Sequence, residues 1–175
     1  LLCLVLPWDQ VDESICAKPL EWSGKTLGRF MRFFGPISSV FDIITFAYLF
    51  FILCPAVCGG TFASLSGSGE QARFIILFQT GWFLESMWTQ VLILHLLRTQ
   101  KVPLLQSRPS RPVMVVTLLG TAVFTLLTFT PMGEWIGLTA LPPVYFVFLA
   151  VTVFFYLLWV TLAKRWYIRR YHELL

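Results

Sequence analysis

The sequence predicts an all-α membrane protein with four transmembrane helices and both termini on the cytoplasmic side. Three observations carry that expectation. Hydrophobic residues make up 57% of the 175 and charged residues only 13%, where an ordinary soluble domain carries about 25% charged residues. The apolar residues gather into four runs, each near the roughly 20 residues a helix needs to cross a bilayer. Almost all the cations fall on one side of those runs. A mean hydropathy of +0.76 agrees, because a soluble domain of this size could not hide so much apolar surface from water.

The four runs are residues 36–57, 74–97, 112–130 and 143–162. Pro36, Pro112 and Pro143 stand at the starts of three of them, where a missing N–H is no loss and φ is already helical. The amphipathic period of a soluble helix is absent, as expected when most faces meet lipid or other helices. The N-terminal Leu1–Leu6 stretch is too short to span and is expected to be the tail of a preceding helix. Residues 1–35 are therefore read as that tail plus a connecting segment, in which 23–30 could form a short interfacial helix. Residues 36–175 are read as a four-helix membrane domain. Residues 59–70 are rich in Gly and Ser and expected to be flexible. Residues 131–142 form a short, nearly uncharged connection with Trp135 suited to an interface.

The cations set the orientation. Lys18, Lys25, Arg29 and Arg32 precede the first run, and Arg98, Lys101, Arg108 and Arg111 lie between the second and third. Lys164, Arg165, Arg169 and Arg170 follow the fourth, leaving Arg73 alone on the other side. Positive residues mark the cytoplasmic face, so both ends and the basic loop are expected there. The net charge of +4 has the same origin. No basic stripe is interleaved with exposed aromatics, which excludes a nucleic-acid partner; the partner expected from composition is the lipid bilayer.

Two acids interrupt the apolar runs. Asp42 follows Pro36 by about 9 Å of helical rise, in the cytoplasmic third of the first run. Ser38 and Ser39 lie one turn before it and Thr45 three residues after, so the four form a polar face. A carboxylate at membrane depth costs on the order of 3 kcal/mol on insertion scales, and such residues face a bundle interior, a partner or a cavity. Asp42 is read as a gating residue or as a structural partner for another helix, with Arg29 and Arg32 as nearby cations. Glu85 lies near the middle of the second run, with Ser86, Thr89 and Gln90 on or beside its face. Oxygen ligands suit Mg²⁺ and Ca²⁺, which makes Glu85 the candidate metal or proton site; the alternative is a protonated Glu bonded to a neighbouring helix. His95 is read as an interfacial hydrogen-bonder. The third and fourth runs hold no ionisable residue in their cores, and Gly120 is a place where a neighbour could approach closely.

Four cysteines are too few for a disulfide framework. Cys54 and Cys58 would share a helix face, either as a soft-metal or disulfide pair or simply as small apolar residues. The sequence contains no phosphate-binding G-x-x-x-x-G-K-[ST] loop, no H-E-x-x-H and no C-x-x-C. Nothing in the chain offers a site for ATP.

Residues 6–12, L-P-W-D-Q-V-D, and 27–46, L-G-R-F-M-R-F-F-G-P-I-S-S-V-F-D-I-I-T-F, resemble the C-terminal membrane region of magnesium-transporting P-type ATPases. So do 77–103, which contain F-Q-T-G-W-F-L-E and H-L-L-R-T, together with A-L-P-P-V-Y-F at 140–146 and Y-I-R-R-Y at 167–171. The resemblance runs in order along almost the whole chain. It implies that the four runs are the last four transmembrane helices of an ATP-driven Mg²⁺ importer in a bacterial inner membrane. Mg²⁺ would be the transported ion, and ATP–Mg would bind cytoplasmic domains bearing the family's D-K-T-G-T motif, which this chain lacks. The partners implied are the remaining helices and those domains. An Asn and an Asp of the family's sixth helix line its ion site, and the Asp would fall just before Leu1. Other readings of the same residues are a membrane scaffold or regulatory subunit derived from such a domain, or a small oligomeric channel.

Overall fold

The computed structural model describes residues 24–97 and 110–171, all helix, turn or loop, with no strand among them. The expected helix tail at 1–6, Lys18, and the cations at 98, 101 and 108 lie outside the described residues. Helix α1 (Gly24–Tyr48) runs without a break into a π-helical turn (Leu49–Leu53) and a short helix α2 (Cys54–Cys58). Then follow α3 (Ser68–Leu97), α4 (Arg111–Leu127), the single-turn α5 (Pro131–Trp135) and α6 (Pro143–Tyr171). Two continuous stretches, Gly24–Cys58 and Pro143–Tyr171, have the length and apolar composition to cross a membrane, and Arg111–Leu127 is a shorter apolar helix.

The first helix differs from expectation at its start. Pro36 lies inside α1, not at its N-terminus, and the stretch at 24–35 is continuous with the run behind it. Aromatic packing accounts for this. Phe30 and Phe34 meet Tyr167, with ring centroids 6.2 and 5.5 Å apart, and Phe33 stacks on Trp166 at 5.2 Å. Those contacts hold the backbone helical on both sides of the proline, whose missing N–H removes one rung of the ladder. The continuous Gly24–Cys58 stretch of 35 residues is about 50 Å long, well beyond the roughly 30 Å of a hydrocarbon core. Helix α6 likewise extends past residue 162 through the basic, aromatic tail to Tyr171.

The core has two apolar clusters. One gathers Leu49, Leu53, Cys54, Phe74, Leu77, Leu84, Tyr145 and Leu149, with Leu65 and Leu141 from the loops. The other, at the basic end, gathers Phe34, Phe41, Leu96, Tyr156, Val160 and Tyr167. Along each long helix the residues between the clusters are polar and buried: Thr45 on α1, Glu85 and Thr89 on α3, Thr152 on α6.

The connection at 59–70 is more ordered than its composition suggests. Gly59 ends α2 in the left-handed region at φ 81°, its N–H bonded to the Pro55 carbonyl, a common helix stop. Ser64 and Leu65 then bond back to the Thr61 carbonyl. Leu65 is buried, and Gln71 donates to its carbonyl. Trp135 is 89% exposed, as an interfacial residue would be. A Cβ at Gly120 would meet nothing within 4 Å among the described residues, whereas one at Gly81 would sit 2.6 Å from a Leu49 methyl. The close approach is at Gly81, on the second run and not the third.

Candidate functional site

Helices α1, α3 and α6 bring a polar group together between the two apolar clusters. Glu85 is its centre. Its side chain is fully buried, and neither carboxyl oxygen has a hydrogen-bond partner among the described residues. Asp42, half-buried on α1, lies within electrostatic range of Glu85. Tyr156 of α6 points its hydroxyl into the same region, in range of both acids. Ser38 sits beside that hydroxyl but not in hydrogen-bond geometry, and the buried hydroxyl has no partner. Thr45, one turn beyond Asp42, is fully buried with its hydroxyl also unpartnered.

Each position follows from local sequence. Ser38, Asp42, Thr45 and Leu49 recur at helical spacing, so one face of α1 turns inward along its length. Ser39 falls off that face: it is exposed, and its hydroxyl bonds back to the Gly35 carbonyl at 3.1 Å. Gln90 on α3 is also exposed. Thr89 is buried, but its hydroxyl donates to the Glu85 and Ser86 carbonyls of its own helix, at 3.0 and 3.1 Å. Such back-bonding satisfies the hydroxyl without using the neighbouring carboxyl. Because α1 is continuous, Arg32 and Arg29 stand roughly 15 and 20 Å along the axis from Asp42. Arg29 instead lies over the Tyr171 ring at 4.5 Å.

Two features were not visible in the sequence pattern. Tyr145 of α6 is buried, and its hydroxyl donates to the Gly81 carbonyl, one turn before Glu85. Lys164, grouped by sequence with the solvent-side cations, is 3% exposed and donates to the Leu96 carbonyl at 2.6 Å. The signal for both was position: they fall on the same buried face of α6 as Leu149, Tyr156 and Val160.

The rest of the bundle is tied by threonines. The His95 ring pairs with the Thr117 hydroxyl at 2.9 Å, and Trp88 donates to Thr125 at 3.2 Å, joining α3 to α4. Thr80 accepts from the Thr139 N–H, which fixes the loop before α6. Cys54 and Cys58 are free thiols, Cys54 buried.

Chemically, the polar group is made of oxygens alone: two carboxylates and two unpartnered hydroxyls. No cluster of three or more His, Cys, Asp or Glu side chains exists among the described residues. That donor set is too small to enclose a bare cation but suits a hard one that keeps water or takes further ligands from elsewhere, as Mg²⁺ does with one or two carboxylates.

This chain is similar to proteins named as magnesium-transporting ATPases. The family described as "Cation transporting ATPase, C-terminus" matches residues 1–166. A Salmonella typhimurium (strain LT2) protein named "Magnesium-transporting ATPase, P-type 1" is 40% identical over 170 residues, covering 97% of this chain and 17% of that protein. The Escherichia coli (strain K12) protein of the same name is 37% identical over 168 residues, covering 96% and 17%. The chain thus spans about a sixth of the length of these curated relatives. A match over nearly the whole of its own length decides the family: this chain belongs to the cation-transporting P-type ATPases, as their C-terminal membrane region.

Proposed function

We propose that the chain is the C-terminal four-helix membrane domain of an ATP-driven Mg²⁺ importer, bracing the ion-translocating helices and contributing Glu85 to the ion path. The stretch Gly24–Cys58 and helices α3, α4 and α6 are the four spans, with the basic ends in the cytoplasm of a bacterial cell. Twelve of the thirteen Lys and Arg residues support that orientation. The bilayer, the remaining helices and the cytoplasmic ATPase domains are its partners, and ATP–Mg binds in those domains.

The observation that carries the reading is Glu85: a fully buried carboxyl with both oxygens unpartnered among the described residues, in electrostatic range of a second carboxylate. A fold seeking only stability would fill that position with an apolar side chain, because burying an unpaired acid is costly. Glu85 supplies an oxygen ligand or exchanges a proton as the cation passes. Asp42, with Ser38 and Thr45, forms the adjoining gate on α1. Complementation tests this in a strain that needs external Mg²⁺ for growth. Glu85→Gln or Asp42→Asn in the complete protein should reduce rescue by more than any fall in membrane level explains. Full rescue by both at normal levels rejects the ion-path role.

A further inference from the structure

Glu85 can serve an ion path only at one depth. Gln79, Glu85, Gln90 and His95 interrupt the apolar residues of α3, which carries it. The vertical position of a helix follows its apolar stretch and its anchors, and bonds to a neighbouring helix add to both.

Helix α6 runs parallel to α3 and bonds to its backbone at two well-separated points. Near one end the Tyr145 hydroxyl donates to the Gly81 carbonyl. It thus sits at the helical rung that precedes the acid. At the other end Lys164 donates to the Leu96 carbonyl. That carbonyl lies in the final residues of the described helix, Ser68–Leu97. The placement of Lys164 is informative because burying an ammonium is costly and a leucine would fill the same seam. Both acceptors are main-chain atoms, so the bonds report axial position and not side-chain identity.

We propose that Tyr145 and Lys164 are positioning residues, a two-point clamp by which α6 fixes the axial register of α3 and hence the level of Glu85. The function assigned to the clamp rests on the ion-path reading above; the clamp itself does not. With one bond lost, α3 slides against α6 and the carboxyl shifts relative to Asp42 and Tyr156. Cation affinity falls while turnover, set by the ATPase cycle, changes little.

The test uses the complete protein with Lys164→Met, Lys164→Arg and Tyr145→Phe, each with Glu85 intact and combined with Glu85→Gln. Tyr145→Phe keeps the ring in the seam and guards against simple misfolding. Two quantities are read: the KM and kcat for Mg²⁺ transport, and the distance between nitroxide labels at exposed positions Phe83 and Phe154 in a cysteine-free background. Lys164→Met should raise KM about three- to tenfold with kcat within about twofold, the range of coupling effects from residues that touch no ligand. Lys164→Arg should restore KM, and in the Glu85→Gln background Lys164→Met should have no further effect. The label distance should move by about one helical residue, ~1.5 Å, in Lys164→Met and not in Lys164→Arg. An unchanged distance in both Lys164→Met and Tyr145→Phe overturns the clamp whatever KM does. A moved distance with unchanged KM overturns its role in placing Glu85. Wild-type transport by Glu85→Gln alone rejects the ion-path reading, and the distance then decides the clamp by itself.

Discussion

The carboxylates of Glu85 on α3 and Asp42 on α1 lie within electrostatic range of each other, and the Glu85 oxygens have no hydrogen-bond partner among the described residues. A buried acid within range of a second one stabilises nothing by itself. A buried unsatisfied polar group costs about 1–3 kcal/mol. Glu85→Met, close in volume and free of that penalty, should therefore raise the unfolding midpoint of the detergent-solubilised protein while abolishing transport. A lowered midpoint would show that the carboxyl makes a stabilising contact with a part of the protein outside residues 24–97 and 110–171.

Gly81 is where α3 meets both the π-helical turn and α6. A Cβ there would lie 2.6 Å from one Leu49 methyl, 3.1 Å from the other and 3.3 Å from the Tyr145 ring. Gly81→Ala should destabilise by about 1–3 kcal/mol, the usual cost of overpacking. Leu49→Ala should relieve part of that cost in the double variant, because residues in contact are not additive. Thermal unfolding of the two single variants and the double variant measures it; strict additivity would contradict the contact.

The α3–α4 interface rests on the pairs His95–Thr117 and Trp88–Thr125. Interhelical hydrogen bonds in membrane proteins average about 0.6 kcal/mol. Thr117→Val and Thr125→Val should each cost about that much in unfolding experiments and leave the cation dependence of transport unchanged. A large shift in cation KM for either would place α4 in the ion path, against its present assignment as a packing helix.

In the connection between α2 and α3, Gly59 holds φ 81°. An L side chain in that region costs roughly 1–2 kcal/mol. Gly59→Ala should lose about that much stability, and Gly59→Asn less, because Asn tolerates the left-handed region. Equal losses for both would argue against the turn.

Much of this arrangement was legible in the sequence, and the misses have physical reasons. Apolar run length located the long helices because backbone hydrogen bonding and hydrophobic length leave few alternatives. The start of α1 was misjudged because Pro36 is equally compatible with a first turn and with an interior position held by neighbours; the aromatic contacts of Phe30, Phe33 and Phe34 are long-range and invisible locally. Ser39 joined the expected polar face by proximity in sequence, yet one residue further round the helix turns it outward. Lys164 was counted as a solvent-side cation because composition cannot show which face of a helix is covered. Gly81 and Gly120 are alike in sequence, and only the partner helices distinguish them.

The central claim is that Glu85 belongs to the path of the transported ion. The most direct measurement is Mg²⁺ uptake into vesicles containing the complete protein, with Glu85→Gln compared with wild type across a range of Mg²⁺ concentrations at matched protein levels. The account predicts a loss of apparent affinity or rate of about tenfold or more, equivalent to about 1.4 kcal/mol of lost transition-state stabilisation. An uptake curve superimposable on wild type would contradict it.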